Sequence, residues 1–140
     1  MDAIVMLRDD HAAVEKLFKK LESGDLGVVP RICDELELHA EIEEDVFYPS
    51  VRAEVDEQDD EVLEAVEEHH VVKLLISELR GLDPADETYK AKATVLMENV
   101  RHHIEEEEGQ MFPAVRSALG RKRLQEIGDR MSSARESLAG

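Results

Sequence analysis

The stretch HAEIEEDVFYP at residues 39–49 decides the fold of this chain, because a related stretch, HIEEEEGQMFP, returns at residues 103–113. With a shift of 64 positions, seven residues from His39 to Arg52 are identical to those that begin at His103. A repeat of this kind predicts two structurally related halves.

Histidines lie at the spacing of buried helix faces in both halves. They are His11, His39, His69 and His103. Around them apolar residues recur in steps of three and four, as in Leu7, His11 and Val14, which places them on one face of a helix. A shift of 58 positions also aligns His11 with His69. We therefore predict an all-α protein in which two related hairpins pack as an up-down antiparallel four-helix bundle.

Prolines, glycines and capping residues predict where the helices end. Pro49 should bend or end the second helix, because proline lacks an N–H and crowds the carbonyl four residues back. Asp59 or Asp60 should cap the third helix, and Gly81 should end it. Gly120 should separate the bundle from a short fifth helix. The predicted helices cover about 2–22, 30–51, 59–80, a fourth from the Asp83-Pro84 turn to 119, and 121–138.

Length and charge limit the class of protein. At 140 residues we expect a single domain over 1–140, with the four-helix bundle in 1–119 and the C-terminal helix in 120–140. The net charge of −17 argues against nucleic acid, whose binding rests on Lys and Arg, and against an anionic membrane surface. The single cysteine, Cys33, and a start without signal-peptide features predict a cytoplasmic protein.

The histidines predict a metal centre when they are taken with two glutamates. Imidazoles and carboxylates in one apolar core are costly to bury unless something pairs with them. His39 and Glu43 are four residues apart on a helix, as are His103 and Glu107, so that their heads can meet one metal pair. The predicted metal ligands are His11, His39, Glu43, His69, His103 and Glu107.

In this arrangement two histidines from each half serve one ion, and the two glutamates bridge the ions. One or two coordination positions remain for a bridging oxide, water or dioxygen. Mixed imidazole and carboxylate ligands with open positions favour non-haem iron, with manganese next, whereas structural zinc prefers a closed site that usually includes thiolates.

Four motifs in this order resemble the hemerythrin-like, or HHE cation-binding, family. They are DHAAVEKLF at 10–18, HAEIEEDVFYP at 39–49, EEHHVVKLL at 67–75 and HIEEEEGQMFP at 103–113. The resemblance covers nearly the whole chain. It implies a di-iron centre inside the bundle, with the histidines as terminal ligands and Glu43 and Glu107 as bridges. Members of the family bind dioxygen or nitric oxide, sense iron or oxygen, or act on peroxide or ferrous iron.

The chain departs from oxygen-carrying hemerythrins at two places. Lys73 stands where they have a second histidine on the third helix. His103 and Glu107 are four residues apart, whereas those proteins end with His and Asp five apart. Reversible oxygen carriage is therefore the less favoured role.

Several neighbours of the predicted ligands need separate interpretation. His70 and His102 lie about 100° around their helices from His69 and His103, and are expected at the surface or as groups that orient a ligand. Glu44 and Glu108, as a repeated pair, are the carboxylates most expected to hold ligands in place. Tyr48 is expected to pack near the bundle end, with ligation of the centre by Tyr48 or Glu44 as the alternative. Lys73 should reach solvent or pair with a carboxylate.

These features predict a non-haem di-iron protein that binds or reacts with dioxygen, peroxide or nitric oxide, in redox or oxidative-stress response or in iron handling. Its cofactor would be two iron ions with an oxo or hydroxo bridge. One alternative is a di-iron enzyme with catalase, peroxidase or ferroxidase activity. A second is a metal-free helical interaction module. The expected partners are the small ligands, with neither nucleic acid nor membrane.

Overall fold

Residues 1–139 are described by the structure, a computed structural model, and they are helical almost throughout. The helices are α1 (Ala3–Glu22), α2 (Val29–Ile42), α3 (Tyr48–Glu54), α4 (Asp59–Arg80), α5 (Tyr89–Glu106) and α6 (Phe112–Ala139). One π-helical segment, Glu43–Phe47, joins α2 to α3, and another, Glu107–Met111, joins α5 to α6. Short 3-10 turns lie at Leu26–Val28 and Asp56–Gln58. The prediction of an all-α four-helix bundle with an added C-terminal helix is confirmed.

Pro49 does not end the second helix, because helical structure continues to Glu54. In the π segment the Tyr48 N–H donates to the Glu43 carbonyl five residues back, and this wider turn directly precedes the proline. A proline placed there neither needs an N–H nor crowds a carbonyl of a regular α turn. The second π segment repeats the arrangement, with the Phe112 N–H donating to the Glu107 carbonyl.

The remaining helix ends follow the sequence with one correction. Gln58 occupies the N-cap of α4 without a side-chain hydrogen bond, whereas Asp59 and Asp60 were expected to cap it. Both aspartates lie in the first turn instead, where their negative charge favours the helix N-terminus. Gly81 ends α4 as predicted. Gly120, at φ 78°, breaks α6 where a fifth helix was expected to start.

The core consists of two apolar clusters at opposite ends of the bundle. The first combines the start of α1 with the end of the second bundle helix, and includes Leu7, Phe47, Val115 and Leu124. The second combines the end of α1 with the start of α2, and includes Phe18, Ile32, Cys33, Ile76 and Leu96. Antiparallel packing produces this alternation of starts and ends. Polar side chains lie in the layer between the clusters.

The C-terminal part of α6 packs back on the bundle. Leu124, Ile127 and Met131 are fully buried, as the sequence predicted. Gly128 permits this contact, because a Cβ at that position would lie 2.1 Å from the Met1 carbonyl oxygen. Arg135 then reaches Asp10 on α1, with contacts of 3.0 and 2.6 Å.

Within residues 1–139, no helix is both long enough and apolar enough to cross a membrane.

Candidate metal centre

All six predicted ligands meet in the polar layer between the two apolar clusters. Glu43 is fully buried, and Glu107 is 2% exposed. The ligand atoms form two groups, each within 4.8 Å: His11, His39 and Glu107 in one group, and Glu43, His69 and His103 in the other. We call these groups the first and second triads. Each triad takes its two histidines from one hairpin and its glutamate from the other.

The two glutamates are the points on which the histidines converge. Glu43 Oε1 lies 3.1 Å from the Nε2 atoms of both His39 and His69, and 3.9 Å from that of His103. Glu107 Oε1 lies 3.3 Å from His11 Nε2, and its Oε2 lies 3.4 Å from His103 Nε2. Every Nε2 atom therefore faces the interior carboxylates.

The opposite ring nitrogen, Nδ1, of each histidine faces another carboxylate. The pairs are His11 with Glu108 at 2.6 Å, His39 with Asp10 at 2.9 Å, His69 with Glu44 at 2.8 Å and His103 with Glu68 at 2.6 Å. An ionised carboxylate only accepts hydrogen bonds, so each Nδ1 must carry the proton. In a neutral imidazole this leaves the Nε2 lone pair directed at the interior, as in a metal-binding histidine.

These outer carboxylates obey the sequence repeat. Glu44 and Glu108, related by the 64-residue shift, were expected to hold ligands, and each does contact a histidine. Asp10 and Glu68 were missed by the sequence analysis. The signal was present, because each directly precedes a predicted ligand and the two are related by the 58-residue shift.

Unpartnered polar atoms show that the site suits a cation. The Nε2 atoms of His11 and His39, both carboxylate oxygens of Glu43 and Oε1 of Glu107 are buried without a hydrogen-bond partner. Such atoms are costly to bury unless something pairs with them. Imidazole nitrogens with carboxylate oxygens are ligands that first-row transition metals accept. The residues present therefore fit a metal.

Charge supports the same interpretation. The centre and its surround hold the carboxylates of Asp10, Glu43, Glu44, Glu68, Glu107 and Glu108. In the described part of the chain, the Lys and Arg side chains in contact with them are Lys73, on Glu44, and Arg135, on Asp10. The Lys73 contact, 3.0 Å, confirms the expected pairing with a carboxylate. Two such cations leave most of the negative charge uncompensated.

Without a metal, protons supply part of the missing positive charge. Burial disfavours the imidazolium form of His39, but the charge of Glu43 outweighs burial and raises the pKa of His39 to about 10. The pKa of His103 rises for the same reason, with Glu107 as the main opposing charge. Burial alone would raise the pKa of Glu43, but the nearby histidines hold it well below its ordinary value. The interior therefore favours the charged forms of His39, His103 and Glu43.

Tyr48 reaches the site, which the sequence allows as the alternative to packing near the bundle end. Its hydroxyl donates to Glu107 Oε2 at 2.5 Å and lies 3.3 Å from His103 Nε2 and 3.4 Å from His69 Nε2. Burial, followed by the charges of Glu43 and Glu107, raises the pKa of the phenol, so that it stays protonated. Tyr48 therefore belongs to the site.

The π segment explains this position. Tyr48 is five residues after Glu43, and in an α-helix it would point about 140° away. A π turn, with its five-residue repeat, brings it back to the face of the glutamate. The equivalent residue in the second half is Phe112, which stacks on His11 with ring centroids 5.9 Å apart.

His70 and His102 stand outside the centre, as the sequence favoured. His70 is 67% exposed and faces Glu67, whereas His102 is 69% exposed and faces Glu106. Neither ring is among the ligand atoms of the two triads.

A family model for the hemerythrin HHE cation binding domain matches residues 2–115 of the chain. The chain belongs to this family. The HHE domain binds metal cations, and in this member the clustered histidines and glutamates are the groups able to hold them.

The chain is also similar to two known proteins. The crystal structure of a hemerythrin HHE cation binding domain-containing protein from Mycobacterium kansasii is similar with a TM-score of 0.82, at 23% identity, over 98% of this chain and 86% of that one. A protein called DNA nickase, from Nostoc sp. (strain PCC 7120 / SAG 25.82 / UTEX 2576), is 28% identical over 138 residues. That match covers 95% of this chain but 39% of the Nostoc protein. The chain thus spans about two fifths of this relative's length.

A cavity of about 310 Å³ reaches the centre of the HHE domain from the side of the second apolar cluster. All four histidines line it. Its other walls include Val14, Leu36, Val72 and Val100, each one turn away from a histidine. The walls beside the histidines are apolar, while Asp34, Glu35 and Arg135 also line the cavity. The space is larger than a diatomic molecule requires, so small uncharged ligands can approach the Nε2 atoms from this side.

Proposed function

We propose that this HHE domain is a non-haem di-iron protein that binds or reacts with dioxygen, peroxide or nitric oxide. The observation that carries the proposal is the pair of triads, in which outer carboxylates turn the Nε2 lone pair of every histidine toward two buried glutamates. His11, His39, His69 and His103 would be the terminal ligands, with Glu43 and Glu107 between the ions.

Iron bound there would supply one-electron redox chemistry and open positions for a small ligand. The side chains of the chain have separate tasks. The outer carboxylates fix the orientation of the rings, and the valines and leucine of the 310 Å³ cavity exclude bulk water from the approach. Tyr48 holds a proton on its hydroxyl oxygen, 2.5 Å from Glu107, where it can be given to or taken from a bound ligand.

The Tyr48 hydroxyl, as a proton donor, favours a catalytic role. A buried phenol beside a predicted bridging carboxylate is placed to donate or accept a proton during a reaction, and so we propose peroxide consumption or ferrous iron oxidation as the second candidate. A metal-free interaction module is disfavoured by the unpartnered buried atoms of Glu43 and His11. Nicking of DNA, the activity named for the longer Nostoc protein, is outside the proposal, because a chain with net charge −17 repels phosphates.

The cellular setting is also part of the proposal. Cys33 is buried and is the one cysteine of the sequence, so that the chain has no internal disulfide to maintain. We therefore propose a cytoplasmic protein that works in oxidative-stress response or iron handling, with small ligands as its partners.

The first test is metal content with an optical spectrum, on protein purified without added metal. The proposal expects about two irons per chain, one for each triad, and near-ultraviolet absorption from iron–oxygen charge transfer. Folded protein that holds no metal and takes none from ferrous iron would contradict it.

The second test separates the candidates. Iron-loaded protein is mixed with peroxide in a stopped-flow instrument, and its consumption is compared with that of the same concentration of free iron. Turnover above free iron that falls in Tyr48→Phe would support the enzyme. Turnover equal to free iron would leave a binding or sensing role.

A further inference from the structure

A third cluster of metal-ligating side chains lies outside the centre. One ligand atom each from Glu68, His102 and Glu106 lies within 4.8 Å of the others. His102 Nε2 is 2.8 Å from Glu106 Oε1, one turn further along α5, and Glu68 comes from the neighbouring helix α4. The side chains of His102, Glu106 and Glu68 are 69%, 37% and 31% exposed. This outer cluster is open to solvent, unlike the two triads.

The outer cluster touches the centre directly. Glu68 Oε1 lies 2.6 Å from His103 Nδ1, so that one carboxylate belongs to both groups. A small cavity of about 70 Å³ is lined by Glu68 and Glu106 of the outer cluster, though not by His102, and by His103 and Glu107 of the centre. Glu107, which is 2% exposed and has an unpartnered Oε1, thus borders a space that the outer residues also border.

The 70 Å³ cavity lies on the side of the centre opposite the 310 Å³ cavity. Ala65 and Met111 line the small cavity, whereas Val72 and Val100 line the large one. Ala65 and Met111 belong to the first apolar cluster, and Val72 and Val100 to the second. Carboxylates dominate the polar lining of the small cavity, whereas the walls of the large cavity beside the histidines are apolar.

The equivalent place in the first hairpin shows what the outer cluster lacks. There Asp10 takes the position of Glu68, and the guanidinium of Arg135 binds it at 2.6 and 3.0 Å. Leu38 and Ile42 stand where the second hairpin has His102 and Glu106. Among the described residues, no Lys or Arg contacts Glu68. The first hairpin therefore has Arg135 beside its carboxylate, whereas the second has His102 and Glu106 beside Glu68.

We propose that Glu68, His102 and Glu106 form a second, outer site for a divalent first-row cation such as Fe²⁺, and that this site loads the centre. Its role in loading rests on the proposed function. Three ligands of this kind suit such a cation but leave several positions to water, so that binding is exchangeable. Glu61 and Glu64 line the same small cavity and add attraction for cations. His103 and Glu107 are the residues of the centre that share the small cavity with the outer site.

The double variant His102→Ala/Glu106→Gln tests the proposal, since neither residue belongs to the triads. His70→Ala is the matched control, because His70 is also an exposed neighbour of a predicted ligand and also faces a glutamate. Iron-loaded wild-type, double-variant and control proteins are titrated with Mn²⁺, and free Mn²⁺ is followed by electron paramagnetic resonance. We expect wild type and control to bind about one more Mn²⁺ per chain than the double variant.

Loading is then measured by mixing metal-free protein with Fe²⁺ in a stopped-flow instrument. The double variant should reach the same final iron content as wild type but about tenfold more slowly, and His70→Ala should match wild type. Equal Mn²⁺ binding by wild type and double variant would overturn the outer site. Loss of Mn²⁺ binding with an unchanged loading rate would overturn its role in loading. If the centre takes no iron at all, the Mn²⁺ difference still decides the outer site, so that failure of the proposed function remains distinguishable.

Discussion

The two hairpins share their predicted ligands but differ in what surrounds them. Each brings two histidines, one buried glutamate, two outer carboxylates and a π segment to the same layer. However, the first supplies Tyr48 where the second supplies Phe112. Asp10 is bound by Arg135, while its counterpart Glu68 is 31% exposed and, among the described residues, contacts no Lys or Arg. The repeat preserves the positions that could hold metal, and the differences give the two triads unequal surroundings.

The largest effect is expected from removing either interior glutamate. Glu43→Ala and Glu107→Ala should each lower metal affinity by more than the roughly 10- to 100-fold typical of a residue that only holds a ligand in place. The melting temperature of iron-treated protein should fall with it, because metal binding is coupled to folding. Iron content and thermal unfolding measure both. Glu41→Ala and Glu105→Ala, exposed and repeat-related, are the controls. Full iron content and an unchanged melting temperature in Glu43→Ala would refute the bridging assignment.

A smaller loss is expected at the outer carboxylates. Glu44→Gln and Glu108→Gln keep the shape of the side chain but remove the charge that orients His69 and His11. Each should weaken metal binding by about 10-fold or more. Competition with a chelator measures the affinity, and Glu105→Gln serves as the control. Similar losses of metal affinity at both positions would show that the outer carboxylates have the same role in both hairpins. A loss confined to one position would show that the two hairpins differ in this role.

Tyr48→Phe makes the two hairpins alike at the position where they differ most. The substitution removes the hydroxyl that donates to buried Glu107. In metal-free protein, we expect the free energy of unfolding to fall by about 1.5 kcal/mol, the lower range for a hydrogen bond to a charged group. Urea unfolding measures this change. The control is Tyr89→Phe, which removes a hydroxyl from a tyrosine buried in the other apolar cluster. Equal stability of Tyr48→Phe and wild type would contradict the prediction.

The smallest difference is expected at the helix starts. Asp2 accepts the Val5 N–H at 2.8 Å and caps α1, whereas Gln58 gives α4 no side-chain cap. Asp2→Ala should lower the free energy of unfolding by about 1 kcal/mol, and Gln58→Ala should change it little. Thermal or urea unfolding distinguishes the two. A loss of equal size in both variants would show that the cap is not the cause.

The contribution of Asp2 should also depend on pH. Burial opposes ionisation of its carboxyl, but the Val5 N–H and Arg116 outweigh burial and lower the pKa below its ordinary value of 3.8. A lowered folded-state pKa means that the stabilisation is present above the unfolded-state pKa and is lost as pH falls through the folded-state value. The stability difference between wild type and Asp2→Ala should therefore shrink below about pH 4.

Repeats and helix periodicity predict most of this molecule. They place His11, His39, His69 and His103 in one layer, and the structure brings them together with Glu43 and Glu107. That these residues bind two irons stays a prediction. The features that the sequence did not predict depend on local helix geometry and on packing between helices, which helical periodicity does not reveal.

Two of those features are the tyrosine and the continuous second helix. Both follow from the π segment, because an α-helical wheel turns Tyr48 away from the site and makes Pro49 a helix breaker. Asp10 and Glu68 were missed for another reason. Each contacts a histidine of the adjacent helix, so that the contact depends on packing between helices. An acidic residue next to a histidine in sequence does not reveal which ring it faces.

Because each triad takes its glutamate from the other hairpin, neither triad is complete until both hairpins have been synthesised. During synthesis His11, His39 and Glu43 leave the ribosome first, but the glutamate of the first triad, Glu107, is made much later. Neither hairpin alone can assemble a complete ligand set. If the triads bind iron, each metal site is complete only after both hairpins have been made. Metal would replace the protons that the raised pKa of His39 favours, so acidification of the medium is expected to release it.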